Sequence, residues 1–136
     1  MINQTELSLS GYGRGFHLIT HVIEKNIGEL PEKGLLSILI KHTSAGITIN
    51  ENADPSVRVD FESFFNRMVP ENASFYTHTL EGSDDIPAHL KASIIGQSIT
   101  IPITNHRLNL GTWQGIYFCE FRDYGGTRKL VCTIYY

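Results

Sequence analysis

Three polar breaks in this sequence carry histidine, carboxylate or amide groups at spacings that could do chemistry. The first is His42-Thr43-Ser44-Ala45-Gly46, with Asn50 and Glu51 close behind. An imidazole can bind a metal or move a proton near neutral pH. Hydroxyls and backbone N–H groups in such a break can hold phosphate oxygens. The second holds His78, Glu81, Asp84, Asp85 and His89 within a dozen residues. It offers the nitrogen and oxygen donors that a divalent cation takes. Its spacing matches no tight signature such as HExxH. The third is Gly111-Thr112-Trp113-Gln114-Gly115, where small residues let a ligand approach the backbone. Gln114 offers a donor and an acceptor, and Trp113 a flat face for a ring.

Each break also has a plainer reading. A polar strand end can satisfy its own backbone through Thr43, Ser44 and Asn50. Asp84 or Asp85 can cap a helix, worth about 1 kcal/mol. His89 can be a hydrogen-bonded histidine at a helix start, and Trp113 a core anchor beside a β-turn. His17 and His21 fall on an expected helix surface and should be solvated. His106 and Arg107 sit in a loop, where Arg107 can meet an anion. Glu120 and Arg122 are two apart on an expected strand, hence on one face, and ion pairs with neighbours are expected for them. There is no GxSxG motif, P-loop or dinucleotide fingerprint.

The elements that must position these groups follow from hydrophobic period. Thr5 to Ser10 alternates as a half-buried strand. Phe16, Leu18, Ile19, Val22, Ile23 and Ile27 recur at helical spacing and predict a short amphipathic helix ending near Gly28. Gly34 to Lys41 reads as a buried strand, and Ile47-Thr48-Ile49 as a second one beyond the polar break. Asp54-Pro55 starts a helix whose stripe, Val57, Phe61, Phe64, Phe65 and Met68, is expected in the core; Pro70 stops it. A further helix is predicted from about Ile86-Pro87 to Gly96, burying Leu90, Ile94 and Ile95. The last forty residues read as mostly β. Strands and helices mix without a βαβ beat, so the expected class is α+β: one compact domain over residues 1–136, with antiparallel or mixed sheets and two to three short helices.

Composition narrows the partners. The chain has 136 residues, 41% of them hydrophobic, which suits one core without a structural metal. Its formal net charge is -3 and its basic residues are scattered, which disfavours nucleic acid. No apolar run approaches the roughly 20 residues of a bilayer span, and the first residues do not read as a signal peptide. A cytoplasmic protein without a membrane partner is expected. Cys119 and Cys132 lie in apolar surroundings and read as buried thiols of a reducing compartment.

Four segments form a series. His42 to Gly46, Asn50-Glu51-Asn52-Ala53-Asp54-Pro55, Asp84-Asp85-Ile86-Pro87-Ala88-His89-Leu90-Lys91 and Leu110-Gly111-Thr112-Trp113-Gln114-Gly115-Ile116-Tyr117 together resemble the YjbQ family, secondary thiamine-phosphate synthase type. The likeness runs from about Leu7 to the C-terminus. It implies an α+β fold, a homotrimer with sites near subunit boundaries, and a small phosphorylated metabolite as ligand. The implied activity joins a hydroxymethylpyrimidine pyrophosphate to a thiazole phosphate and releases pyrophosphate. Carried over by motif, His42, Asn50, Glu51, His78, Asp85 and His89 are the site candidates. The expected arrangement makes His42, His78 and His89 converge as metal or phosphate ligands, the metal being a divalent ion, zinc or magnesium. Glu51 and Asp85 would orient the imidazoles or complete the coordination, and His42, Glu51, Asp85 and His89 are the expected catalytic residues. Thr43, Ser44, Asn50, Gly111, Thr112 and Gln114 would bind substrate or phosphate. A phosphorylated-metabolite binding protein and a metal-dependent hydrolase are the alternatives.

Overall fold

In the computed structural model, which describes residues 1–136, eleven elements follow in chain order: β1 (Ile2–Leu9), β2 (Gly15–Leu18), α1 (Thr20–Asn26), β3 (Lys33–Ile40), β4 (Ala45–Glu51), α2 (Pro55–Met68), α3 (Asp85–Ile95), β5 (Ser98–Thr104), β6 (Arg107–Leu108), β7 (Gln114–Glu120) and β8 (Arg128–Tyr135). All strand pairs are antiparallel. They form a five-stranded sheet, β1-β8-β3-β5-β6, and a three-stranded sheet, β2-β7-β4. The α+β class and the single compact domain expected from sequence are what the structure has, with antiparallel sheets and three helices.

Alternation decides which side chains enter the core, because successive residues of a strand point to opposite faces. On β3, Leu36, Ile38 and Ile40 turn inward, while Leu35 and Leu39 are exposed. The run that sequence predicts as a buried strand buries one face. On β7, Ile116 and Phe118 enter the core between the two sheets; Tyr117 and Cys119 point the other way. Leu7, Ile101, Leu130 and Cys132 meet them from the larger sheet. Each fully buried Ile, Leu or Phe contributes about 1.5–3 kcal/mol, so the core holds without a disulfide, and both cysteines are buried free thiols.

The outer face of the small sheet carries α2 and α3. Phe16, Tyr117, Cys119 and Phe121 of the sheet side pack with Ala88 and Ala92 of α3 and with Phe61 and Phe65 of α2. Gly46 makes the approach of α3 possible: a Cβ there would stand 2.9 Å from the carbonyl oxygen of Gly96. That carbonyl accepts a hydrogen bond from the Ile47 N–H at 3.0 Å. The glycine of the first polar break is therefore a packing residue between β4 and the end of α3.

Several expectations are corrected. The helix expected from Phe16 starts at Thr20, and Phe16 and Leu18 belong to β2, paired with Cys119 and Tyr117. Cross-strand pairing outweighs the helical spacing there. His17 is thus a strand residue, its Nε2 2.7 Å from the Gly13 carbonyl, while His21 is exposed on α1. Asp54 does cap α2, accepting from the Ser56 N–H at 2.9 Å. The stripe of α2 is only half used: Phe61 and Phe65 pack, but Phe64 is 60% exposed. On α3, Leu90 and Ile94 are exposed, and Asp85, Ala88, Lys91 and Ala92 face inward instead. Trp113 is 66% exposed, not a core anchor.

Candidate cation site

The second polar break folds into one compact group. Asp85 opens α3, and His89 follows one turn later on the same face. His78 reaches them from the irregular segment between α2 and α3. One ligand atom from each of His78, Asp85 and His89 lies within 4.8 Å of the others. The Oδ2 oxygen of Asp85 is 2.7 Å from His78 Nε2 and 3.1 Å from His89 Nε2. The two rings are tilted at 5.5 Å between centroids.

Arg122, just beyond β7, assigns the oxygens of the acidic pair. Its Nη1 donates to Asp85 Oδ1 at 2.5 Å, its Nε to Asp84 Oδ2 at 2.8 Å, and its Nη2 to the Glu81 carbonyl at 3.1 Å. Asp84 also accepts from the Asp123 N–H at 3.0 Å. Asp84 occupies the cap position of α3 but makes no side-chain cap bond, because its carboxylate is spent on Arg122 and the Asp123 backbone. Asp85 is only 2% exposed. Burial by itself would raise its carboxyl pKa; the His78 hydrogen bond and the charges of His89 and Arg122 outweigh that, and hold it below the usual range.

The tautomer of His89 follows from geometry. Its Nδ1 is 2.9 Å from the carbonyl oxygen of Thr43. A carbonyl only accepts, so Nδ1 carries the hydrogen. In the neutral ring Nε2 is then a lone pair, aimed at a carboxylate oxygen 3.1 Å away. Two acceptors facing each other at that distance require a cation between them, either a proton or a metal ion. A backbone carbonyl holding one ring nitrogen while the other meets a metal is a recurrent metal-site arrangement. Two imidazoles and one carboxylate suit zinc better than magnesium, which prefers an all-oxygen shell.

The other expected ligands are elsewhere. His42 stands outside this set: its Nε2 accepts from the Lys129 N–H at 2.8 Å, which places its proton on Nδ1. Burial, and then the nearby charge of Arg128, lowers its pKa, so the ring stays neutral at pH 7. Thr43 serves through its carbonyl, and the Ser44 hydroxyl accepts from Arg128 Nη2 at 2.9 Å. Glu51 does not orient an imidazole. It accepts from the Ala53 and Asp54 N–H groups at 3.0 and 3.1 Å, and Asn50 Oδ1 accepts from the Glu51 N–H.

Gly111 and Gln114 close a turn on each other, the Gly111 N–H reaching Gln114 Oε1 at 2.8 Å. Asn52 holds that turn through the Thr112 and Gln114 carbonyls at 3.2 and 3.0 Å. In the β4–β7 register Glu51 pairs with Gln114, while Ala45, next to the histidine group, pairs with Glu120. At about 3.3 Å per residue, the two ends of β4 are about 20 Å apart. Asn50, Glu51, Gly111, Thr112 and Gln114 therefore sit at the opposite end of the small sheet from the histidines of the same chain.

A second acidic group, Glu71, Asp84 and Asp123, lies beside the first. Arg14 contacts Asp123 at 3.1 Å and Glu71 at 3.8 Å, and Arg122 holds Asp84, so guanidinium groups already balance its charge. A cleft of about 700 Å³ lies beside Glu24, Leu30, His106 and Arg107. Cleft size does not outweigh donor geometry, and the convergent donors are at Asp85. The ion pairs expected of Arg122 from sequence form with Asp84 and Asp85, which adds Arg122 to the candidate site. Its one signal was a charge immediately after the aromatic run of β7.

Comparison with known proteins agrees with the four-motif series. The family described as UPF0047 protein YjbQ-like matches residues 5–136. The UPF0047 protein YjbQ of Salmonella typhimurium is 50% identical over 133 residues, covering 96% of both chains. The crystal structure of an uncharacterised YjbQ/UPF0047 protein from Clostridium acetobutylicum is 39% identical, with a TM-score of 0.83 over 96% of this chain and 99% of that one. A YbjQ-like protein of unknown function from Sulfolobus solfataricus, at 22% identity, shares the fold with a TM-score of 0.86 over 98% and 96% of the two chains.

Proposed function

The chain belongs to the YjbQ-like UPF0047 family, and on that premise we propose that it is a cytoplasmic, cation-dependent enzyme acting on phosphorylated small molecules. The carrying observation is the His89 ring, whose Thr43 bond leaves a lone pair aimed at Asp85. His78 Nε2, His89 Nε2 and Asp85 Oδ2 would hold a divalent metal, zinc by their donor types. When bound, such an ion supplies positive charge against a departing pyrophosphate. The reaction we assign is thiamine-phosphate synthase-type transfer, joining hydroxymethylpyrimidine pyrophosphate to thiazole phosphate. Thr43 fixes the His89 tautomer, Arg122 holds Asp85 Oδ1 and so turns Oδ2 to the imidazoles, and His42 offers a neutral Nδ1–H donor beside Thr43.

The motif at Gly111–Gln114 lies too far from the histidines to act with them in one chain. Its role in this reading is to serve a neighbouring subunit of a homotrimer. Phe64, Leu90, Ile94 and Trp113, apolar yet exposed in the single chain, support such covering contacts. No helix is long and apolar enough to cross a membrane.

Metal analysis, zinc titration and a steady-state assay with the two thiamine precursors test the proposal. His89→Ala is expected to stay folded and to lose both zinc binding and product formation. Zinc bound as tightly by that variant as by wild type would refute the metal centre. Zinc binding without turnover would leave a binding protein. Turnover of phosphate esters in place of the coupling reaction would point to a hydrolase with the same two-histidine, one-carboxylate donors.

A further inference from the structure

The residues that fix this site share one buried support. Glu120, the last residue of β7, is fully buried, and Arg128, the first of β8, is nearly so. They form a two-pronged pair: Arg128 Nε donates to Glu120 Oε1 at 2.8 Å, and Nη2 to Oε2 at 2.7 Å. The same Nη2 donates to the Ser44 hydroxyl at 2.9 Å. Ser44 follows Thr43, whose carbonyl sets the His89 tautomer. Glu120 Oε2 also accepts from the backbone N–H of Arg122 at 3.2 Å, and the Arg122 guanidinium holds Asp85 Oδ1. The following loop wraps the carboxylate so closely that a Cβ at Gly125 would collide with it.

We infer that Glu120 is a positioning residue of the cation site, placing both the Thr43 carbonyl and the Arg122 guanidinium through two separate hydrogen-bonded routes. This rests on the metal reading of His78, Asp85 and His89. Nothing in Glu120 reaches those donors directly. Its carboxylate instead keeps the start of β4 and the end of β7 in the relative position that leaves His89 Nε2 and Asp85 Oδ2 facing each other. A buried bidentate pair suits this task because its geometry is fixed by two parallel bonds and not by a single flexible one. Partners one step removed from a metal commonly change its affinity by about 10–100-fold when altered.

Glu120→Gln keeps the shape of the side chain and removes the second acceptor oxygen. Zinc affinity by calorimetry is expected to fall several-fold, less than the about 10–100-fold typical of a group bonded directly to a metal ligand. In the metal-free protein at pH 8, nitrogen-15 shifts of the His89 ring are expected to show Nδ1–H in wild type and a mixture of tautomers in the variant. If Glu120→Gln fails to fold, Ser44→Ala, which removes only the hydroxyl link to Arg128, should show the same tautomer loss and a smaller drop in affinity. A variant that melts earlier but keeps wild-type zinc affinity and a pure Nδ1–H tautomer would overturn the inference and leave Glu120 a structural residue. Should wild type bind no zinc, the metal reading fails, and the metal-free ring shifts still decide whether Glu120 sets His89.

Discussion

Asp85 divides its two oxygens between a permanent cation, Arg122, and a pair of imidazoles. His42, four residues before the register partner of Cys119, does a different job: its neutral ring accepts a backbone hydrogen bond from β8. The pKa of His42 in the folded chain lies below its ordinary value of 6.5, through burial first and Arg128 second. The unfolded chain therefore binds a proton at His42 more readily than the folded one. Its contribution to stability is complete above pH 6.5 and is lost as pH falls through the folded value. Urea midpoints are expected to drop between pH 7 and pH 5. The His42→Asn variant, whose amide oxygen can still accept from Lys129, should show a shallower slope. An identical slope in both proteins would remove His42 from the acid response.

At the scale of elements, α3 shows how a helix can defeat its own apolar pattern. Hydrophobic spacing puts Leu90 and Ile94 inside, but the helix turns Asp85, Ala88, Lys91 and Ala92 to the sheet. The small alanines let it sit close to Tyr117 and Cys119, and the polar ends of that face meet Arg122 and Asn66. Lys91 is 1% exposed, and its ammonium has one hydrogen-bond partner, Asn66 Oδ1 at 2.6 Å, with the Phe121 ring 5.9 Å away. Burial, and then the charge of Arg14, lowers its pKa, so the charged form is held at a cost. Lys91→Met keeps the volume and removes the charge, while Arg14 still satisfies Asn66 at 2.7 Å. The variant is expected to be more stable by about 1 kcal/mol in urea unfolding at neutral pH, as for other buried charges replaced by apolar groups of similar size. A clear loss of stability would mean that the ammonium organises α2 against α3.

Over the whole molecule, three layers place the candidate site at one end of the small sheet and the Gly111–Gln114 turn at the other. The proposed homotrimer requires the two ends of different chains to meet. Sedimentation equilibrium is expected to give about three times the 15.3 kDa chain mass. A monomer at micromolar concentration would leave the turn without a role at the histidines.

Hydrophobic period and turn residues were enough to give the α+β class, the β3 and β4 strands, the Asp54 cap and the start of α3. These depend on local geometry that each segment carries in itself. The meeting of His78, Asp85 and His89 was half legible, since two of the three lie one helical turn apart. What sequence could not give was the exclusion of His42, the separation of Glu51 and Gln114 from the histidines, and the place of Arg122 and Glu120. Each depends on which strand pairs with which and in what register. A single pairing, Ala45 with Glu120 and Glu51 with Gln114, sends residues that look alike in the chain to opposite ends of one sheet.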